Sequence, residues 1–137
     1  MEEIMENNLS ELEKIGFENV GNWYLNDGSI MFILNSHANQ KNILYAFVVD
    51  GVIKYIGKSI LTLRRRIYAY QHFGPTQKTN IRVHGLLKEM LIKNKSISIY
   101  AFVTKNPMLY KGVPIDLAAG LEDSLIAKFK PEWNIRK

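Results

Sequence analysis

No cysteine occurs in the chain, which excludes a disulfide framework, a thiolate zinc site and a cysteine nucleophile. Long apolar runs are also missing. No stretch approaches the roughly 20 residues of a membrane-spanning helix, and the acidic Met-Glu-Glu start lacks the basic end of a signal peptide. There are no repeats and no low-complexity segments, and the three histidines form no compact cluster with acids of the kind a zinc hydrolase needs. The expectation is a soluble, cytoplasmic protein with no membrane partner. Acidic residues are scarce over most of the chain. Residues 42–137 hold six against 16 Lys and Arg, a net +10, whereas residues 1–41 hold seven acids and two bases, a net −5. A +10 segment of this length suits a phosphate backbone, although charge alone is equally compatible with a solubilising surface.

The 137 residues, 47% of them hydrophobic, are enough for one ordinary core. Leu9 to Ile15 reads as a short acidic helix. Two hairpins follow, one turning at Asp27-Gly28 and one, Ile43 to Val48 and Val52 to Ile56, turning at Asp50-Gly51. Leu63 to Tyr70 has helical spacing. Thr79 or Asn80 is expected to cap a helix running to about Lys93, Ser96 to Val103 reads as a strand, and Asn106 to Pro114 as a connection. Leu117 to Lys130 is the last helix, stopped by Pro131. The predicted class is α+β: a small, mostly antiparallel three-stranded sheet flanked by helices, with residues 1–41 as an N-terminal helix and β-hairpin extension and 42–137 as the main domain.

Several residues stand out chemically. Glu122 has Ala118, Leu125 and Ile126 as helix-surface neighbours, a costly place for a carboxylate without a cation, a metal or several donors. One protein carboxylate favours a single hard cation completed by water and phosphate oxygens; the plain alternative is a half-buried Glu paired with an Arg. In Arg64-Arg65-Arg66, taking Leu63 as zero at about 100° per residue, Ile67 and Tyr70 define the buried stripe, Arg66 lies at its edge near about −60°, and Arg65 points away. Tyr45 and Tyr55 fall on opposite faces if Asp50-Gly51 is a two-residue turn. They fall on one face if Val49-Asp50-Gly51 is a three-residue loop. The residues themselves allow either.

Together these features resemble the GIY-YIG nuclease family. Ile43-Leu44-Tyr45 stands where the family has Gly-Ile-Tyr, and Tyr55-Ile56-Gly57 keeps the second motif intact, followed by Lys58-Ser59. Leu63 to Tyr70 is similar to the family's Leu-x-x-Arg-x-x-x-Tyr/His helix, and Glu122 through Pro131 to Asn134 to its closing motif. Ile43 replaces the first glycine. One extra residue precedes the helix, so strict counting from Tyr55 selects Arg65, while the helical wheel selects Arg66.

The resemblance implies a divalent-metal-dependent endonuclease that hydrolyses DNA phosphodiester bonds and uses one Mg²⁺ or Mn²⁺ ion at Glu122. It implies catalytic roles for Tyr45, Tyr55, Arg66, Tyr70, Glu122 and Asn134. Arg66 would clamp the phosphate, and Tyr45 in preference to Tyr55 would be the general base, with nearby cations lowering its pKa. Tyr70 would orient water or phosphate, and Asn134 would fix the loop beside the Glu122 helix. Gly57 would permit close backbone approach, and with Lys58, Arg64, Arg65, Lys78 and Arg82 it forms the candidate contact set for double- or single-stranded DNA. A shared active-site face implies the three-residue loop. Specificity is expected from loops, from the N-terminal region, or from a homodimer or protein partner. The competing reading is a catalytically inactive nucleic-acid-binding module on the same scaffold.

Overall fold

Ile43 to Val49, Ile-Leu-Tyr-Ala-Phe-Val-Val, is buried at every position, because this strand has neighbours on both sides and packed layers on both faces. The computed structural model describes residues 9–103 and 108–134. Its elements in chain order are α1 (Leu9–Ile15), β1 (Glu18–Asn26), β2 (Ser29–Leu34), β3 (Ile43–Val49), β4 (Val52–Ser59), α2 (Leu63–Gln71), α3 (Lys78–Ile92), β5 (Ile97–Phe102), β6 (Met108–Tyr110), β7 (Val113–Ile115) and α4 (Leu117–Phe129). Strands β1 to β5 form one antiparallel sheet in the order β2-β1-β5-β3-β4.

The α+β class agrees with the sequence reading, but the sheet has five strands and not three. The first hairpin, expected as an extension, supplies two of them, because β1 pairs along β5 from Glu18↔Ala101 to Trp23↔Ile97. One face of the sheet joins Val20, Trp23, Tyr45, Phe47 and Ile99 to Leu63, Ile67 and Tyr70 of α2 and Val83, Leu87 and Leu91 of α3. The opposite face joins Leu44, Ala46, Val48, Ile53 and Ile56 to Leu12 of α1 and Ala118, Leu125 and Phe129 of α4. Burial of these side chains, about 1.5–3 kcal/mol for each fully enclosed large one, holds helices against both faces. The segment expected as a plain connection between β5 and α4 contains a second, two-stranded hairpin, β6 and β7, with Lys111 and Gly112 at positive φ in its turn. Asn106 and Pro107 of that segment lie outside the described residues. Among the described residues no helix is long and apolar enough to cross a membrane.

The β3–β4 hairpin corrects the expected loop. Val49 pairs with Val52, and Asp50 and Gly51 both have positive φ (47° and 83°), which makes a two-residue turn whose twist matches the strands. The register then shifts by one residue: Val48 faces Ile53, but Phe47 faces Tyr55, leaving Lys54 as a bulge. The bulge moves Tyr55 to the face of Tyr45, which lies opposite Gly57. The shared face is reached by a bulge, and the three-residue loop does not form.

β4 is an edge strand, and the chain beyond α4 covers it. Lys130 closes α4 in the left-handed conformation, and Pro131 to Asn134 then crosses the edge. The Trp133 amide donates to the Lys54 carbonyl at 2.8 Å, at the bulge itself. Asn134 accepts from the Ile56 amide through Oδ1 and donates to the Ile56 carbonyl through Nδ2, both at 2.8 Å. A side-chain amide thus takes the place of a neighbouring strand.

Candidate active site

α2 starts at Thr62, whose hydroxyl accepts from the Arg65 amide, and its next amides are taken up by the loop before β3: Leu63 donates to Gln40 O and Arg64 to Ala38 O. This fixes the helix rotation. Leu63, Ile67 and Tyr70 are buried, Arg66 is half-buried, and Arg64 and Arg65 are exposed. Arg66 reaches back over the sheet as the helical wheel requires. Its Nη2 donates to the Tyr70 hydroxyl at 2.7 Å and its Nη1 to Asn80 Oδ1 at 3.1 Å.

The Tyr70 hydroxyl is the centre of a cluster. It lies 2.6 Å from the Tyr45 hydroxyl and 3.4 Å from that of Tyr55, so β3, β4 and α2 each contribute one phenol. Tyr45 is fully enclosed, with its hydroxyl against the backbone of β4. A Cβ at Gly57 would lie 2.5 Å from that oxygen, so the close approach expected at Gly57 is made by Tyr45, and Gly57 is itself buried. Burial pushes the Tyr45 phenol well above its usual range, and the nearby Arg66 charge, acting in the opposite sense, does not offset this. Tyr70 is raised in the same way by burial and by its tyrosine neighbours. The lowered pKa expected for Tyr45 as a base is therefore reversed by desolvation. Tyr70, also fully enclosed, orients its two neighbouring hydroxyls.

Tyr55 connects this cluster to a cleft. A polar cavity of about 180 Å³ at the β4 edge is lined by Tyr55, Ile56, Thr79, Arg82, Glu122, Ile126 and Asn134. Strand β4, helices α3 and α4 and the C-terminal segment all meet there. Glu122 is half-buried, not fully enclosed, and among the described residues it has neither a hydrogen bond nor an ion pair. No Glu122–Arg ion pair forms among the described residues, although Arg82 lines the same cleft. No three His, Asp or Glu side chains cluster among the described residues. The Asn134 carbonyl oxygen is committed to Ile56. These donors fit one hard cation held by a single carboxylate and completed by water and phosphate oxygens, and they do not fit a protein-enclosed zinc site.

The remaining candidates are dispersed. Arg64, Arg65 and Lys78 are exposed and line neither the cluster nor the cleft, and Lys58 is on the α4 side of the sheet. Asn80 was expected at most as a cap, yet α3 begins at Lys78 after Gln77, which makes no side-chain cap. Asn80 instead lies inside the helix, aligned with Val83, Leu87 and Leu91 on the buried stripe. A polar residue on an apolar stripe, the same signal that marks Glu122, was available to find it.

No family model matches the chain, and no curated protein does. Solved structures share the fold, two of them as follows. A mutant of EndoII from bacteriophage T4 superposes with a TM-score of 0.72 at 24% identity, covering 94% of this chain and 99% of that one. The restriction endonuclease HPY188I, solved in complex with product DNA, superposes with a TM-score of 0.53 at 17% identity, covering 100% of this chain and 95% of that one. At these identities the fold is what is shared: an α+β scaffold also used by EndoII and by a restriction endonuclease.

Proposed function

We propose that this chain is a metal-dependent endonuclease that hydrolyses DNA phosphodiester bonds at the cleft under the β4 edge. The observation carrying the reading is the convergence of Tyr55, Glu122 and Asn134, three motif residues spread over 80 positions of sequence, on one polar cleft in which Glu122 has no partner among the described residues. Support comes from the nuclease names of two proteins with the same fold, one holding product DNA, from the GIY-YIG resemblance, and from the +10 charge of residues 42–137.

Hydrolysis of a phosphodiester needs charge neutralisation, a deprotonated water and a stabilised leaving oxygen. Glu122 would hold the single Mg²⁺ or Mn²⁺, and a bound cation supplies Lewis-acid charge to the phosphate oxygens. Tyr55 is the phenol that borders the cleft, so the base role moves to it from the enclosed Tyr45. As phenolate it takes a proton from water while the water oxygen bonds to phosphorus, and the bond from phosphorus to the leaving ester oxygen breaks, that oxygen being protonated from solvent. Arg66 holds the hydroxyl cluster and places a fixed positive charge behind Tyr55. Asn134 ties the end of the Glu122 helix to β4. Exposed Arg64, Arg65 and Lys78 are proposed backbone contacts outside the reacting centre.

The test is incubation of plasmid and single-stranded DNA with the protein in Mg²⁺ and in EDTA. Cleavage in Mg²⁺ that EDTA abolishes is expected. DNA binding without cleavage of either substrate would favour the inactive binding module.

A further inference from the structure

The two arginines near the cleft differ in one respect that bears on which of them touches the phosphate. Arg66 does not line the cleft: its Nη1 and Nη2 donate to Asn80 and Tyr70, and its guanidinium lies 4.4 Å from the Tyr70 ring centroid, on the side of the tyrosine cluster. Arg82 is on α3, two residues beyond Asn80. Its Nη1 is sealed from solvent and has no hydrogen-bond partner, and its side chain lines the cleft together with the unpaired carboxylate of Glu122. Buried polar groups in folded proteins are almost always paired, because an unmet donor loses water and gains nothing in return. An arginine whose Nη1 meets no protein acceptor, lining a polar cleft with a carboxylate that has no partner among the described residues, is placed to meet an anionic ligand there. Planar guanidinium forks match phosphate oxygens well.

We infer that Arg82 makes the direct contact to the scissile phosphodiester, and that Arg66 is a positioning residue acting through the tyrosine cluster. The inference rests on the nuclease reading for its reaction but not for its binding contact. It moves Arg82 from the peripheral DNA contacts into the reacting centre.

Three measurements on the full chain test it. In single-turnover cleavage with Mg²⁺, Arg82→Ala should slow the chemical step about a hundredfold with apparent DNA affinity changed less than about threefold. Arg82→Lys should recover part of the rate, and added guanidinium ion should partly rescue Arg82→Ala. Lys93→Ala, at the far end of α3 and paired with Glu89, should behave as wild type. In thermal unfolding, Arg82→Leu should raise Tm by a few degrees, since it removes an unsatisfied buried donor. In EDTA, wild type should bind a 5′-phosphorylated oligonucleotide about tenfold more tightly than its 5′-hydroxyl twin, and Arg82→Ala should lose that preference.

Cleavage by Arg82→Ala at the wild-type rate, with weaker affinity and a shallower salt dependence, would return Arg82 to the peripheral contacts and overturn the inference. Should wild type cleave no DNA, the nuclease reading falls and the oligonucleotide pair decides alone: a phosphate preference abolished in Arg82→Ala upholds the contact, and no preference overturns it.

Discussion

In the tyrosine cluster the polar groups satisfy one another: Tyr45 and Arg66 on Tyr70, Arg66 on Asn80, with Tyr55 at the margin. In the adjoining cleft Glu122 and Arg82 face a shared polar space without partners among the described residues. The two regions touch at Tyr55, on the edge strand β4. Their difference separates residues that hold the architecture from residues held ready for a ligand. Removing a cluster residue should cost stability and activity together, while removing a cleft residue should cost activity and leave the fold intact or firmer.

Arg66→Ala should break the first region most severely. It removes one donor from the Tyr70 hydroxyl, which keeps Tyr45 and Tyr55, and strands the buried Asn80 side chain, so stability should fall by about 1–3 kcal/mol in urea unfolding and cleavage by about a hundredfold or more. Asn134→Ala sits on the boundary. It leaves the Ile56 amide and carbonyl unpaired at the sheet edge, with an expected loss of about 1–2 kcal/mol and a smaller drop in rate.

The enclosed phenols give the comparison a pH signature. Tyr45 and Tyr70 have folded pKa values above the ordinary phenol value of about 10, so below that pH both are neutral in the folded and the unfolded chain and their contribution is fully present. As pH rises past 10 towards the folded values the unfolded chain ionises first, and stability declines. Urea midpoints measured from pH 8 to 11 should fall at the alkaline end, and less steeply in Tyr45→Phe. The smallest effect is expected outside both regions. Arg65→Ala should change the slope of log affinity against log salt by about one unit, with little effect on turnover.

What could be read from the sequence follows from how local each signal is. The α2 stripe of Leu63, Ile67 and Tyr70 is a property of one helix, and it placed Arg66 inward and Arg65 outward without a structure. The pairing of β1 with β5 joins segments some 75 residues apart, and nothing in the Trp23 or Ile97 neighbourhood names its partner, so the two outer strands of the sheet are not legible from local pattern. The hairpin shows both cases at once. Asp50-Gly51 is a legible two-residue turn, but the bulge at Lys54 that reverses its consequence is held by the Trp133 amide, 79 residues on. The partners of Asn80 and the partnerless Nη1 of Arg82 depend on what surrounds α3, although Asn80, like Glu122, stands on an apolar helix stripe that the sequence displays.

The central claim is that the unpaired carboxylate of the cleft exists for chemistry and not for the fold. Its most direct test is the single-turnover cleavage rate of Glu122→Gln in Mg²⁺, measured beside its thermal unfolding. A loss of roughly a thousandfold in rate, about 4 kcal/mol of transition-state stabilisation, with Tm unchanged or raised, is the predicted result. Wild-type cleavage by Glu122→Gln, or inactivity that comes with a large fall in Tm, would contradict it.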